Sequence, residues 1–80
     1  MSIIQADEMI QNELLDAELK HPNWPVDPVH GVAIMVEEAG EAMQAVLNYV
    51  YHGGSLDNVR NEVVQTAAMC YRVLKNLHRY

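Results

Sequence analysis

A single cysteine, Cys70, has no partner for an intrachain disulfide, and it also rules out metal frameworks built from several cysteines. Basic residues are scarce. Five Lys and Arg stand against eleven Asp and Glu, a formal net charge of −6, with a small cationic cluster only near the C-terminus. This balance repels a polyanion and excludes duplex nucleic acid as a partner. Nowhere is there an uncharged apolar run of about 18 residues. The opening Met1-Ser2-Ile3-Ile4-Gln5-Ala6-Asp7-Glu8 has neither a basic segment nor a long apolar core. No membrane partner is expected, and the protein reads as soluble and cytoplasmic. Strand signals are equally poor, and no internal repeat or low-complexity tract is present.

What is present is helix. Ser2 followed by Gln5 is a capping box, after which Ile3, Ala6, Ile10, Leu14 and Ala17 repeat at three and four until Lys20-His21-Pro22. His21-Pro22-Asn23-Trp24-Pro25-Val26-Asp27 is a loop, and Asp27-Pro28 is an N-cap followed by proline at the first helical position. Val29, Val32, Val36, Ala39, Met43, Val46 and Val50 then form a heptad seam that runs to Gly53-Gly54, a left-handed C-cap and turn. Ser55 caps the next helix, with Asp57 in its first turn and a seam of Leu56, Val59, Val63, Thr66, Cys70, Val73 and Leu77. The expectation is one all-α domain over 1–80, with helix 1 at about 3–20, a loop at 21–27, helix 2 at about 28–52 and helix 3 at about 55–79. The short Gly-Gly connection makes helices 2 and 3 an antiparallel hairpin.

Half of the residues are apolar, more than three helices of a lone 80-residue chain can hide. One core of this size rarely supplies more than about 3–5 kcal/mol of net stability. Self-association is the expected remedy: two hairpins make a four-helix bundle, as a homodimer or homotetramer.

At about 100° per residue, Glu37, Glu38 and Glu41 share one flank of a helix 2 whose buried seam is centred on Val36. Ile34, Met35, Ala42, Ala45 and Tyr49 carry apolar surface around most of the remainder. Two carboxylates about 5 Å apart repel by about 3 kcal/mol at an effective dielectric of about 20, and a divalent cation removes that penalty. Magnesium prefers hard oxygen ligands, so three carboxylates from two facing helices suit it better than zinc. Glu62 can be the third, since antiparallel pairing sets the start of helix 3 opposite the end of helix 2, with Asn58, Gln65 and Met69 on the same flank. A lone Glu-Glu-x-x-Glu string is ordinarily solvated surface. The argument rests on the combination of three acids in an apolar helix, a Gly-Gly turn and a fourth acid in the next helix.

The ordered pair Glu37-Glu38-Ala39-Gly40-Glu41 and Glu62-Val63-Val64-Gln65, separated by twenty residues, resembles the MazG-like nucleoside triphosphate pyrophosphohydrolases. That all-α superfamily also includes dimeric dUTPases, and its pattern is Glu-Glu-x-x-Glu followed by Glu-x-x-Asp. The resemblance covers about residues 28 to 78. It implies Mg2+, or Mn2+, as cofactor, a nucleoside triphosphate as substrate, and hydrolysis to a monophosphate and pyrophosphate that clears unwanted nucleotides. It further implies that Glu38, Glu41 and Glu62 ligate the metal, with Glu37 as an outer ligand or water-orienting base completing the catalytic set. Where the family has its final Asp, this chain has Gln65, a neutral metal-ligand candidate with only a carbonyl oxygen to offer.

Trp24, an aromatic in a proline-rich loop, can stack on a nucleobase, although such a residue more often caps a small core. Arg72 and Lys75 can meet phosphate oxygens, or simply complement the end of their helix, and Asn58 joins them as a substrate contact. His30, His52 and His78 have no metal-ligand spacing, and Met35, Met43 and Met69 read as core fillers. Two rivals stand beside the hydrolase. One is a helical interaction module that retains the fold but is weakly active or inactive. The other is a carboxylate-bridged redox di-metal protein, against which Glu18-Leu19-Lys20-His21 supplies only one Glu-x-x-His, beside Pro22.

Overall fold

A computed structural model describes residues 1–80 and contains helices only: α1 (Ile3–Lys20), α2 (Pro28–Tyr51), α3 (Leu56–Asn76) and a 3-10 turn at Leu77–Arg79. Each start is fixed by a local cap. The Ser2 hydroxyl accepts from the Gln5 N–H at 3.1 Å while the Gln5 side chain accepts from the Ser2 N–H at 2.7 Å. Asp27 accepts from the Val29 N–H at 2.9 Å, and Ser55 from the Asn58 N–H at 3.1 Å. At the hairpin turn Gly53 takes φ +72°, and the Asn48 carbonyl accepts from the N–H groups of both His52 and Gly54 at 2.9 Å. α3 stops at Asn76, short of the expected 79. There the Asn76 amide donates to the Arg72 carbonyl at 2.7 Å and accepts from Arg79, which tightens the last turn.

α3 is the centre of the molecule. α2 lies antiparallel along one side of it and is the most closely packed pair, while α1 lies along another side and α1 and α2 scarcely touch. The α1 stripe is used as expected: Ala17 is buried and Ala6, Ile10 and Leu14 are half-buried, although Ile3 stays exposed. α2 corrects the sequence reading. The seam centred on Val36 does not face α3; Val29 is 75% exposed, Met43 59%, and Val32, Val36 and Val50 are exposed as well. Instead the opposite side, Gly31, Ile34, Met35, Glu38, Ala42 and Ala45, turns inward. Three of these residues are glycine or alanine, which let two helix axes approach closely, whereas a row of valines would hold them apart. On α3, Val73 is buried and Val59, Thr66 and Cys70 are half-buried, but Leu56, Val63 and Leu77 of the same expected seam are exposed.

The end of the bundle opposite the Gly-Gly turn is closed by a polar knot around Trp24, which is 8% exposed. Its indole N–H donates to the Tyr80 hydroxyl at 3.1 Å, and that hydroxyl donates to the Pro25 carbonyl at 2.9 Å. The Arg72 guanidinium lies over the ring, 4.8 Å from its centroid, and donates to the His21 carbonyl. Gly31 makes room for all of this, because a Cβ there would sit 2.9 Å from the Tyr80 hydroxyl and 3.0 Å from the indole nitrogen. Gly31→Ala is therefore expected to cost about 1–3 kcal/mol through overpacking, despite alanine's better helix propensity. Gly40→Ala, where a Cβ meets nothing within 4 Å, is expected to stabilise by up to about 1 kcal/mol. Denaturant midpoints of the two variants check this, and equal shifts would show that the knot yields freely.

Candidate metal centre

Glu38 and Glu41 sit one turn apart on α2, and α3 brings Glu62 to meet them. Each of the three offers a carboxylate oxygen, and these oxygens all lie within 4.8 Å of one another. Glu38 and Glu62 are half-buried and Glu41 is exposed. Oε2 of Glu38 and Oε2 of Glu62 are buried with no hydrogen-bond partner. No cation of the protein pairs with them: the three ion pairs are Lys20–Asp16, Arg60–Asp57 and Lys75–Glu18.

The cost shows in proton affinity. Burial first, then the charges of Glu41 and Glu62, raise the Glu38 carboxyl above its usual range. Burial likewise raises Glu62, followed by the closeness of the Glu41 carboxylate. Hard oxygens, left unpartnered and crowded by like charge, form a donor set that fits magnesium. Three carboxylates without histidine or thiolate fit zinc poorly.

The cluster lies between two depressions. On one side a polar cleft of about 420 Å³ is lined by Glu41, Glu62, Gln44, Asn48, Ser55 and Asn58. On the other, a groove of about 500 Å³ between α1 and α2 holds Glu38, Gln65, Ile34, Met69, Trp24 and Arg72. Gln65 is thus in the groove beside Glu38, half-buried. Glu37 is exposed and acts on the site by its charge on Glu38.

The substrate contacts expected from sequence are distributed differently. Asn58 lines the polar cleft with its side chain exposed. Trp24 is not an exposed platform, because Arg72 covers its face and Tyr80 holds its edge. Arg72 is 4% exposed and bound within the knot, and Lys75 is paired with Glu18 at 2.6 Å, away from the carboxylates. Gln44 and Asn48 escaped the sequence reading. They follow Glu41 at three and seven residues, a polar row on one flank of an apolar helix, and they bond to each other at 3.0 Å. Compared with family models, curated proteins and solved structures, the chain matches none.

The raised carboxyls set the pH dependence of folding. Above the ordinary value of 4.5 the folded chain holds protons at Glu38 and Glu62 that the unfolded chain has released. Stability without metal therefore falls as pH rises from 4.5 through the raised values, and stays lower above them. Glu38→Gln and Glu62→Gln are expected to flatten that fall and to raise the melting temperature at neutral pH in chelator. A lower melting temperature in both variants under those conditions would contradict the assignment.

Proposed function

We propose that the chain is a magnesium-dependent nucleoside triphosphate pyrophosphohydrolase, as its resemblance to the MazG-like enzymes implies. The observation that carries this reading is the cluster of Glu38, Glu41 and Glu62 with two buried, unpartnered carboxylate oxygens. Magnesium, or manganese, would supply neutralisation of the triphosphate's charge and polarisation of the phosphorus under attack. Glu38, Glu41 and Glu62 hold the ion, with the Gln65 carbonyl oxygen in reach of the same groove. Glu37, exposed beside them, accepts the proton of the attacking water at a carboxylate oxygen. The water oxygen bonds to the α phosphorus, the bond to the bridging oxygen breaks, and pyrophosphate leaves. Asn58, with Gln44 and Asn48, offers amide donors to phosphate oxygens in the polar cleft. Such a substrate goes with a cytoplasmic setting, and no helix is long and apolar enough to cross a membrane.

Incubation with a panel of nucleoside triphosphates is the test. Pyrophosphate should form with magnesium and vanish with chelator. Glu41→Gln or Glu62→Gln should each lower the rate by about a hundredfold or more, because the ligands act as a unit. Orthophosphate as the first product would assign the cut to another bond.

The same reading includes self-association as a homodimer or homotetramer. α2 and α3 are antiparallel, and on each the exposed apolar row is displaced in the same rotational sense from their mutual contact. Val32, Val36, Met43 and Val50 therefore emerge on the same side of the hairpin as Leu56, Val63 and Leu74. A second hairpin laid on that face completes a four-helix bundle. This face also favours the alternative, an interaction module that keeps the fold and has weak hydrolysis or none, which a neutral Gln65 would suit. Light scattering on the eluting protein should report a dimer or tetramer at micromolar concentration, and Val36→Glu with Met43→Glu should give a smaller species. A folded monomer in the unsubstituted protein would overturn the association.

A further inference from the structure

Arg72 is the most buried charged residue of the chain, at 4% exposed, and it pairs with no carboxylate although the groove it borders holds three, of which only Asp16 is paired, with Lys20. Glu13, Asp16 and Glu38 line the same groove as Arg72, yet none of the ion pairs includes it. Its Nε has no partner at all, its Nη2 donates to the His21 carbonyl, and its plane rests on Trp24. A guanidinium ordinarily seeks the planar fork of a carboxylate. What withholds this one is the indole face, and the indole is itself fastened by the Tyr80 hydroxyl, while Arg79 donates to the Trp24 carbonyl at 3.4 Å.

We propose that Trp24 is a positioning residue that keeps the Arg72 guanidinium stacked in the knot, so that Glu38 remains unpaired and open to a divalent cation. The inference rests on the reading of Glu38, Glu41 and Glu62 as a cation site. Arg72 lies seven residues beyond Gln65 on α3, about 10 Å along the axis, and both line one groove together with Met69 and Ile34. A long, flexible side chain released from the indole borders a groove whose carboxylates Glu13 and Glu38 have no ion-pair partner. Paired there, it would occupy an oxygen of Glu38 and bring one positive charge to a cluster that suits a divalent ion. Trp24 thus guards the site without touching it, which accounts for a buried tryptophan, a glycine at 31 and a fixed C-terminal turn meeting at one point.

The test is a magnesium titration of the full chain, with magnesium alone as probe, by calorimetry and by melting temperature. Trp24→Leu is expected to weaken magnesium binding by about tenfold, within the range seen when a residue supporting a metal ligand is lost. Arg72→Gln alone, which keeps a donor for the His21 carbonyl, is expected to bind magnesium as the unsubstituted protein does. The double variant should recover that affinity to within about twofold, since the competing cation is gone. Equal weakening in the single Trp24 variant and the double variant would reduce Trp24 to a structural role and overturn the proposal. So would unchanged affinity in Trp24→Leu. Should Trp24→Leu not fold, Trp24→Phe keeps most of the apolar bulk with a weaker ring face and is read by the same two criteria. If the unsubstituted chain takes up no magnesium, the cation reading itself falls and this inference with it. Uptake combined with an indifferent Trp24 variant removes the guard alone.

Discussion

Arg72 ties together four segments that have no other common neighbour. Its backbone belongs to α3, its guanidinium reaches the first residue beyond α1 at the His21 carbonyl, its face lies on the loop at Trp24, and its carbonyl anchors Asn76 at the start of the terminal turn. A buried guanidinium carries a large desolvation cost, and one without a carboxylate partner must recover it from carbonyl acceptors and an aromatic face. Those acceptors become available only when the loop and the C-terminus are in place. The knot therefore links residues more than fifty apart in sequence, and it sets where α1 ends relative to α2. With the knot at one end and the Gly-Gly turn at the other, α3 is clamped between two partners that do not meet each other. The groove above it follows from that arrangement.

The carboxylate cluster is set by the direct contact of α2 with α3 rather than by the knot. α2 packs on α3 with Ala42 and Ala45 on its inner side, and that packing brings Glu38 and Glu41 to Glu62. Larger residues at those positions would widen the gap and relieve the repulsion. The fold thus holds three like charges close together in a half-buried place, the kind of locally unfavourable arrangement that stability alone would not favour. On the proposed reading a divalent ion supplies the missing charge, and the raised carboxyls release their protons as it binds.

Much of this was legible from local chemistry. Capping boxes, Asp-Pro starts and a Gly-Gly stop act over four or five residues, so Ser2, Asp27, Ser55 and Gly53 announced the helix ends with little error. The meeting of Glu41 and Glu62 was expected from the short connection together with the flanks the two residues occupy on their helices. The face of α2 was not legible, because that helix is apolar on two opposite sides and a heptad of valines is the more conspicuous of them. Periodicity identifies an apolar row, but it does not say which row is covered within the chain and which is left outside. Choosing correctly required weighing the small residues on the inner side as a condition for close approach. Trp24 as a core cap was the more ordinary of its two readings and is what the burial shows, but the partners that hold it and Arg72 were not legible. Their partners, Tyr80 and His21, are remote in sequence, and no local pattern reports a contact of that kind.

The small core bears on all of these features together. Six of 80 residues are buried, none of them a large side chain that is fully covered; Ala68 alone is wholly buried. A chain of this size needs further burial or a bound ligand to be firmly folded. α2 contributes little to the fully buried core, because its inner side mixes Ile34 and Met35 with glycine, alanine and a glutamate, and of these only Gly31 is buried. Val29, Val32, Val36 and Val50 lie on the outside, where another molecule can cover them. Function and stability are therefore in opposition on one side of a single helix and are reconciled on the other. If a second copy covers the outer row and a cation occupies the inner cluster, each binding free energy adds to folding, and the two should reinforce each other through the rigid helix they share. An α2 with valines facing inward would have given a firmer monomer with its carboxylates held too far from Glu62 to form a cluster.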